Sequence, residues 1–326
     1  MPNTPPRDSR RLLIALAILT LYLVWGSTYL GIRIAIETIP PFAMASIRFV
    51  IAGSVLFAVS LARERRAFVM PSRLEWRDTF ILAAFLLGGG MGLVAWGEQT
   101  VPSGIAALLV AMLPLWVAVL GRAFLGERLP RPAVVGIAVG FVGVAILVAP
   151  AGEGANRFDP AGVGALIVSP LSWAAGSLYA AHRAQLPRRP LLATGMQMLA
   201  GGLILALMAL AAGEAARFDL PAVSGESLAA LAYLTVIGSL IAFTAYGWLL
   251  RVAPLPLVAT YAYVNPVVAV FLGGLILGEE ITVRTLTAGA VIIFAVALII
   301  TVRSRMSAPR RRPEPAATPA AEARAA

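Results

Sequence analysis

Polar residues in this chain are confined to short breaks between long apolar runs. The hydrocarbon core of a bilayer is about 30 Å thick and a helix rises about 1.5 Å per residue, so about 20 apolar residues cross it. Ten stretches approximate that length: 12–32, 42–62, 79–98, 103–122, 132–150, 161–182, 191–212, 228–250, 256–277 and 285–302. The pattern predicts an all-α polytopic membrane protein with ten transmembrane helices. The first run follows Arg7, Arg10 and Arg11. It is too long for the apolar part of a signal peptide and lacks a small-residue cleavage site, so it reads as a retained first helix.

The pattern also repeats. The stretch 88–129 returns, diverged, at 238–281. Pro102 matches Pro254, Pro114 matches Pro266, and Gly126-Glu127 matches Gly278-Glu279, each pair 152 positions apart. Three landmarks at one offset point to a duplicated unit. The expected units are 12–150 and 161–302, joined by an outer linker at 151–160. An N-terminal segment at 1–11 precedes them. A tail at 303–326, rich in Arg, Pro, Ala and Glu without apolar periodicity, is expected to be disordered. Five spans per unit is an odd number, so the second copy must enter the membrane upside down relative to the first. Inverted repeats of this kind characterise secondary transporters, whose substrate site lies near the midplane between the halves.

Composition narrows the class. Hydrophobic residues make up 60% of the chain and the mean hydropathy is +0.87, against about half apolar in a soluble domain. Cysteine is absent, His182 is the one histidine, and lysine is absent, so all 26 basic residues are arginines. This excludes thiolate chemistry, Cys- or His-cluster metal sites and the Walker A lysine of an ATP-driven pump. No cofactor or metal is expected. The net charge of +10 reads as membrane topology rather than nucleic-acid binding. With the N-terminus in the cytoplasm, twenty-one arginines fall on the cytoplasmic side and four, Arg33, Arg157, Arg217 and Arg284, on the outer side. The bias predicts both termini in the cytoplasm. Arg48 alone lies within a span.

WGSTY at 25–29, Arg48-Phe49 inside the second run, and two copies of a unit closing on Pro…Gly-Glu before a further helix resemble the drug/metabolite transporter superfamily. More narrowly, the chain is similar to ten-helix EamA-type exporters of bacterial inner membranes over roughly residues 12–302. The resemblance implies a central cavity between the halves and export of small metabolites or drugs. Partners are then a small-molecule substrate, the lipid bilayer and a coupling proton.

Several residues carry candidate chemistry. Arg48 sits about six residues into the second run, and a charge there faces the bundle interior and pairs. Glu98, at a similar depth at the end of the third run, is the obvious partner. The pair reads either as a structural ion pair or as an outer gate, with Arg48 alternatively contacting a substrate carboxylate. By the repeat, Arg48 aligns with Gln197 and Glu98 with Trp248, so the fold itself does not require the pair. Glu127 and Glu279 follow helix-ending glycines and are expected to turn toward the amides starting the next helix, a structural role. Pro114 and Pro266 are expected to break the helical ladder in mid-span. Asn265 is a polar group at membrane depth, and Tyr261, four residues earlier, shares its face. Tyr263 lies nearly opposite, so at most one of the two tyrosines is expected to face a cavity; Tyr261 is chosen, with Ala259, Tyr263 and Pro266 as the competing stripe. Among the aromatic residues Trp25, Tyr29 and Trp96 are further cavity candidates, Trp25 foremost because it sits in mid-span beside Gly26 and Ser27.

These features favour a secondary transporter exporting a small organic metabolite, such as an amino acid or a related amphipathic compound. Drug efflux is the alternative, although the first run holds no acidic residue that a cation and a proton could share. A membrane enzyme would need a catalytic cluster that this residue set lacks. A membrane scaffold or sensor would need an output domain.

Overall fold

The computed structural model describes residues 7–63, 69–127, 129–149 and 158–307. The tail beyond Ser307 and most of the 151–160 linker lie outside the described residues. Among the described residues all regular structure is helical. Nine helical stretches are long and apolar enough to cross a membrane: Arg11–Ala35, Pro41–Arg63, Arg73–Gly97, Ser103–Leu125, Arg131–Val148, Pro160–His182, Pro190–Ala211, Gly225–Leu249 and Val283–Val302. The ninth span in order is shorter, with a turn at Leu255–Val258 followed by Tyr261–Leu277. The molecule is thus an all-α polytopic protein of ten spans in two inverted five-helix repeats.

Helices overrun the apolar stretches where polar residues can still propagate a helix. The first runs Arg7–Ala35 and the last Val283–Ser307. The third starts at Arg73, because Ser72 and Glu75 form a reciprocal capping box in which the Glu75 amide donates to Ser72 Oγ at 3.2 Å and the Ser72 amide to Glu75 Oε2 at 2.7 Å. Two backbone donors are thereby satisfied at the membrane edge.

Packing is reciprocal between the repeats. The second span lies along the seventh, the fifth along the tenth and the fourth against the ninth. The first span crosses into the second repeat to pack on the eighth and ninth, and the sixth crosses back onto the third and fourth. Small residues make the closest crossings possible. A Cβ on Gly53 would sit 2.7 Å from the Leu199 amide nitrogen, and one on Gly195 would sit 2.8 Å from that of Phe57. Ser46 Oγ donates across the same crossing to the Gly202 carbonyl at 2.8 Å. Lipid tails are as apolar as leucine, so association here depends on such close packing and on interhelical hydrogen bonds worth about 0.6 kcal/mol each. Gly136 and Gly143 do the same for the fifth span against Ile299 and Ile292 of the tenth, and Gly140 does so against Leu115 of the fourth.

The third and eighth spans each contain a widened π-helical segment, Ala84–Gly92 and Leu234–Ile241. Wide turns leave carbonyls free for other partners. Ser172 Oγ takes the Phe85 carbonyl at 2.8 Å and Ser169 Oγ the Gly90 carbonyl at 3.0 Å. The glycine run 88–90 therefore sits in a widened segment that receives the sixth span.

The proline expectation needs correction at Pro266. The fourth span breaks at Ala111–Met112, between Ser103–Val110 and Leu113–Leu125, so Pro114 starts the second piece. A proline in a helix's first turn lacks an amide that would be unbonded anyway. The ninth span breaks at Ala259–Thr260, and helix continues through Pro266.

Candidate substrate site

Four residues of the first span, Trp25-Gly26-Ser27-Thr28, organise the candidate site. The Trp25 ring centroid lies 5.5 Å from that of Phe243, 5.1 Å from Tyr246 and 4.9 Å from Tyr261. Tyr246 and Tyr261 meet edge-on at 6.0 Å. First, eighth and ninth spans thus build one aromatic box. Gly26 lets the first span touch the ninth: a Cβ there would lie 2.6 Å from Val268 Cβ and 3.2 Å from the Asn265 carbonyl. Ser27 Oγ bonds the Tyr233 hydroxyl at 2.6 Å. Thr28 Oγ1 donates to the Trp25 carbonyl at 2.6 Å.

Arg48 enters from the second span. It is 2% exposed and its Nε donates to Ser239 Oγ at 2.9 Å. Its Nη2 lies 3.3 Å from where a Gly238 Cβ would be, so glycine in the widened segment makes room for the guanidinium. Thr28 borders the same point, its Cγ2 also 3.3 Å away. Among the described residues Arg48 has no carboxylate within ion-pair distance. The expected contact with Glu98 is therefore not formed. Helical rise placed the two at one depth but said nothing of azimuth, and Arg48 faces the eighth span while Glu98 does not.

Glu98 closes the third span, 0% exposed. Neither carboxylate oxygen has a hydrogen-bond partner. Its main-chain carbonyl accepts from Arg33 Nη1, which also donates to the Gln99 carbonyl at 3.0 Å. Asn265 is 8% exposed and its Oδ1 has no partner.

Other candidates fall outside this assembly. Trp96 packs against the apolar cluster that includes Phe42 and Phe49 of the second span and Leu205 of the seventh. Tyr29 packs on the large apolar core toward the Glu98 end. Tyr263 packs on that core too, leaving Tyr261 as the tyrosine that joins the box. An apolar groove of about 330 Å³ between the fourth, ninth and tenth spans includes Pro266, Val267 and Phe271. Phe271 is 61% exposed, so this groove opens to the bilayer side.

Glu279 does bind helix-start amides, but across the repeats. Glu279 Oε1 accepts from the Ser103 amide at 2.7 Å and Oε2 from the Gly104 amide at 3.0 Å. It closes the fourth span rather than the helix that follows it. Gly126 and Gly278 both have φ of +67°. The amides of Glu127 and Glu279 return to the carbonyls of Gly121 and Gly273 at 3.2 and 3.1 Å. Glu214, which the sequence reading passed over, caps the second span through the amides of Phe42 and Ala43 at 3.2 and 2.8 Å. Asp78, likewise passed over, accepts from Arg77 Nε at 2.8 Å, Tyr179 Oη at 2.9 Å and the Gln185 amide at 2.7 Å.

Ser239, Phe243 and Tyr246 also escaped the sequence reading as a group. Their spacing of i, i+4 and i+7 marks one helix face and carried the signal.

Comparisons with known proteins bear on this arrangement. A model of the EamA-like transporter family matches residues 12–149 and 160–301, one copy per repeat. The chain is 39% identical over 285 residues to "Uncharacterized inner membrane transporter YedA" of Escherichia coli (strain K12), covering 87% of this chain and 89% of the relative. It is 26% identical over 291 residues to "Probable amino-acid metabolite efflux pump" of Salmonella typhimurium, covering 85% of this chain and 91% of that one. A solved crystal structure of a protein 23% identical shares the fold, with a TM-score of 0.60 over 93% of this chain and 100% of the other. With a family match in each half and a relative 39% identical over 89% of its own length, the chain belongs to the EamA-like transporter family.

Proposed function

We propose that the chain is a secondary transporter that exports a small amphipathic metabolite, an amino acid or a related compound, across the inner membrane by alternating access. The observation that carries this reading is the adjacency of two unlike surfaces. The rings of Trp25, Phe243, Tyr246 and Tyr261 offer an apolar box. Arg48 offers a buried cation whose one protein acceptor among the described residues is the Ser239 hydroxyl. A ligand with an apolar part and a carboxylate complements both, and a guanidinium binds a carboxylate through paired N–H donors. Amino-acid metabolite efflux, the name carried by one relative, agrees in chemistry. Twenty-one arginines against four support cytoplasmic termini, and a proton is the proposed coupling ion.

Efflux of toxic cations is the competing reading, and Arg48 counts against it because it repels them. Purified protein in vesicles, challenged with labelled amino acids, nucleosides and organic cations, tests the proposal. Saturable amino-acid flux that fails on Arg48→Ala is expected. Flux of cations alone would replace the reading with drug efflux, and absence of any flux would leave a scaffold.

A further inference from the structure

The described residues contain three fully buried acids, Asp78, Glu98 and Glu214. Two are tied down. Asp78 accepts three hydrogen bonds and Glu214 two. Glu98 accepts none on its side chain.

One cation, Arg33, stands near Glu98, and no donor reaches either carboxylate oxygen. From the first span come Tyr29 and Arg33. Arg33 is committed to the main-chain carbonyls of Glu98 and Gln99. Beyond the ninth span, Glu279 is a like charge already held by the Ser103 and Gly104 amides. Ahead of the sixth span, Asp159 accepts from Thr100 Oγ1 at 3.2 Å and from the amides of Ala161 and Gly162. On the second span Arg48 is turned to Ser239, and Glu214, which follows the seventh span, is turned to the start of the second. An ionised carboxylate with no donor on either oxygen is the costliest state a buried acid can adopt, whereas the neutral acid is far cheaper.

We propose that Glu98 is a proton-binding site, protonated in this conformation and exchanging its proton with water when the bundle opens. The inference deepens the transporter reading and rests on it for the use made of the proton. Loading adds one proton from water to a Glu98 carboxylate oxygen. Emptying returns it to water and leaves the anion hydrated. For the inward proton gradient to drive export, the acid takes its proton from the outer water and gives it up toward the cytoplasm, so that proton and substrate move in opposite directions.

A hydrophobic carbodiimide tests it without flux. The acid O–H adds across a C=N bond of the reagent, and the adduct rearranges to a stable N-acylurea, with nothing leaving. Whole protein in detergent is treated in buffers from acid to alkaline, and peptides are mapped by mass. Modification at Glu98 is expected in acid, falling about tenfold per pH unit above its midpoint, with Asp78 and Glu214 unmodified throughout. Glu98 unmodified in acid, or equally modified at every pH, overturns the proposal. Infrared difference spectra between the same buffers should show a carboxylic-acid carbonyl band that Glu98→Gln removes and Glu98→Asp shifts. A band unchanged in both variants also overturns it. If Glu98→Gln does not remain monodisperse, the wild-type labelling profile decides alone. A transporter without this site would pass the vesicle flux test and fail here, and a loaded acid in a non-transporting protein would do the reverse.

Discussion

Glu279, in the second repeat, closes a helix of the first: its two oxygens take the amides of Ser103 and Gly104 at 2.7 and 3.0 Å. Helix-start amides have no partner within the helix, and an anion there also meets the favourable end of the helix dipole. Glu279→Ala should therefore cost about 1–2 kcal/mol, read as a lower unfolding temperature in detergent. Glu279→Gln, keeping one acceptor, should recover part of the loss. An Ala variant as stable as the wild type would show that the cap contributes nothing.

The same turn has a steric counterpart. A Cβ on Gly273 would lie 2.4 Å from Glu279 Oε2, and one on Gly121 would lie 2.7 Å from Glu127 Oε2. Gly273→Ala and Gly121→Ala should each lower thermal stability, because the folded-back carboxylate must move. Gly164→Ala is the control, with nothing within 4 Å of its added Cβ. Equal melting of all three would mean that the two turns yield freely.

Trp25→Ala removes the centre of the aromatic box and Tyr261→Ala one wall. Aromatic contacts are worth about 0.5–1.5 kcal/mol each beyond burial. Trp25→Ala should therefore raise KM about tenfold or more in vesicle flux, at near-normal membrane abundance, with Trp25→Phe intermediate. Trp96→Ala should instead reduce abundance, since Trp96 packs against the apolar cluster that joins the second and seventh spans. Normal flux from both box variants would move the substrate elsewhere.

Arg48→Ala should abolish carboxylate-dependent flux, and Ser239→Ala should cost less because it removes only an orienting acceptor. The exchange Arg48→Glu with Glu98→Arg should stay inactive, since the two side chains do not meet. Recovery of flux in the exchange would establish a paired state that this conformation does not show.

Reporter fusions check orientation. Fusions after Arg66 and Arg188 should report the cytoplasm, and fusions after Gly152 and Gly213 the outer side. A reversed pattern contradicts the arginine bias.

Span number and repeat were legible because both rest on properties local to the chain: apolar length, and landmarks at a constant offset. The choice of Tyr261 over Tyr263 also came from local geometry, the angle between residues two apart on a helix. Contacts between spans were not legible. Glu279 was expected at the next helix and instead binds Ser103, because which span lies beside which depends on the exchange of first and sixth spans between repeats. Arg48 failed similarly: depth follows from residue count, whereas its direction depends on the widened turn around Gly238. Nothing local in Ala84–Gly92 or Leu234–Ile241 announces π-helix, since the extra width is set by the side chains received from other spans.

The crossing of the first span into the second repeat also constrains biosynthesis. Ser27 and Arg48 enter the membrane early, yet their partners Tyr233 and Ser239 lie 206 and 191 positions later. Until the eighth span emerges from the ribosome, the guanidinium must be tolerated by translocon, lipid headgroups or water. A chain released after the fifth span is therefore not half a transporter but a nascent intermediate with an unsheltered charge, and quality-control proteases should clear it faster than a chain released after the tenth.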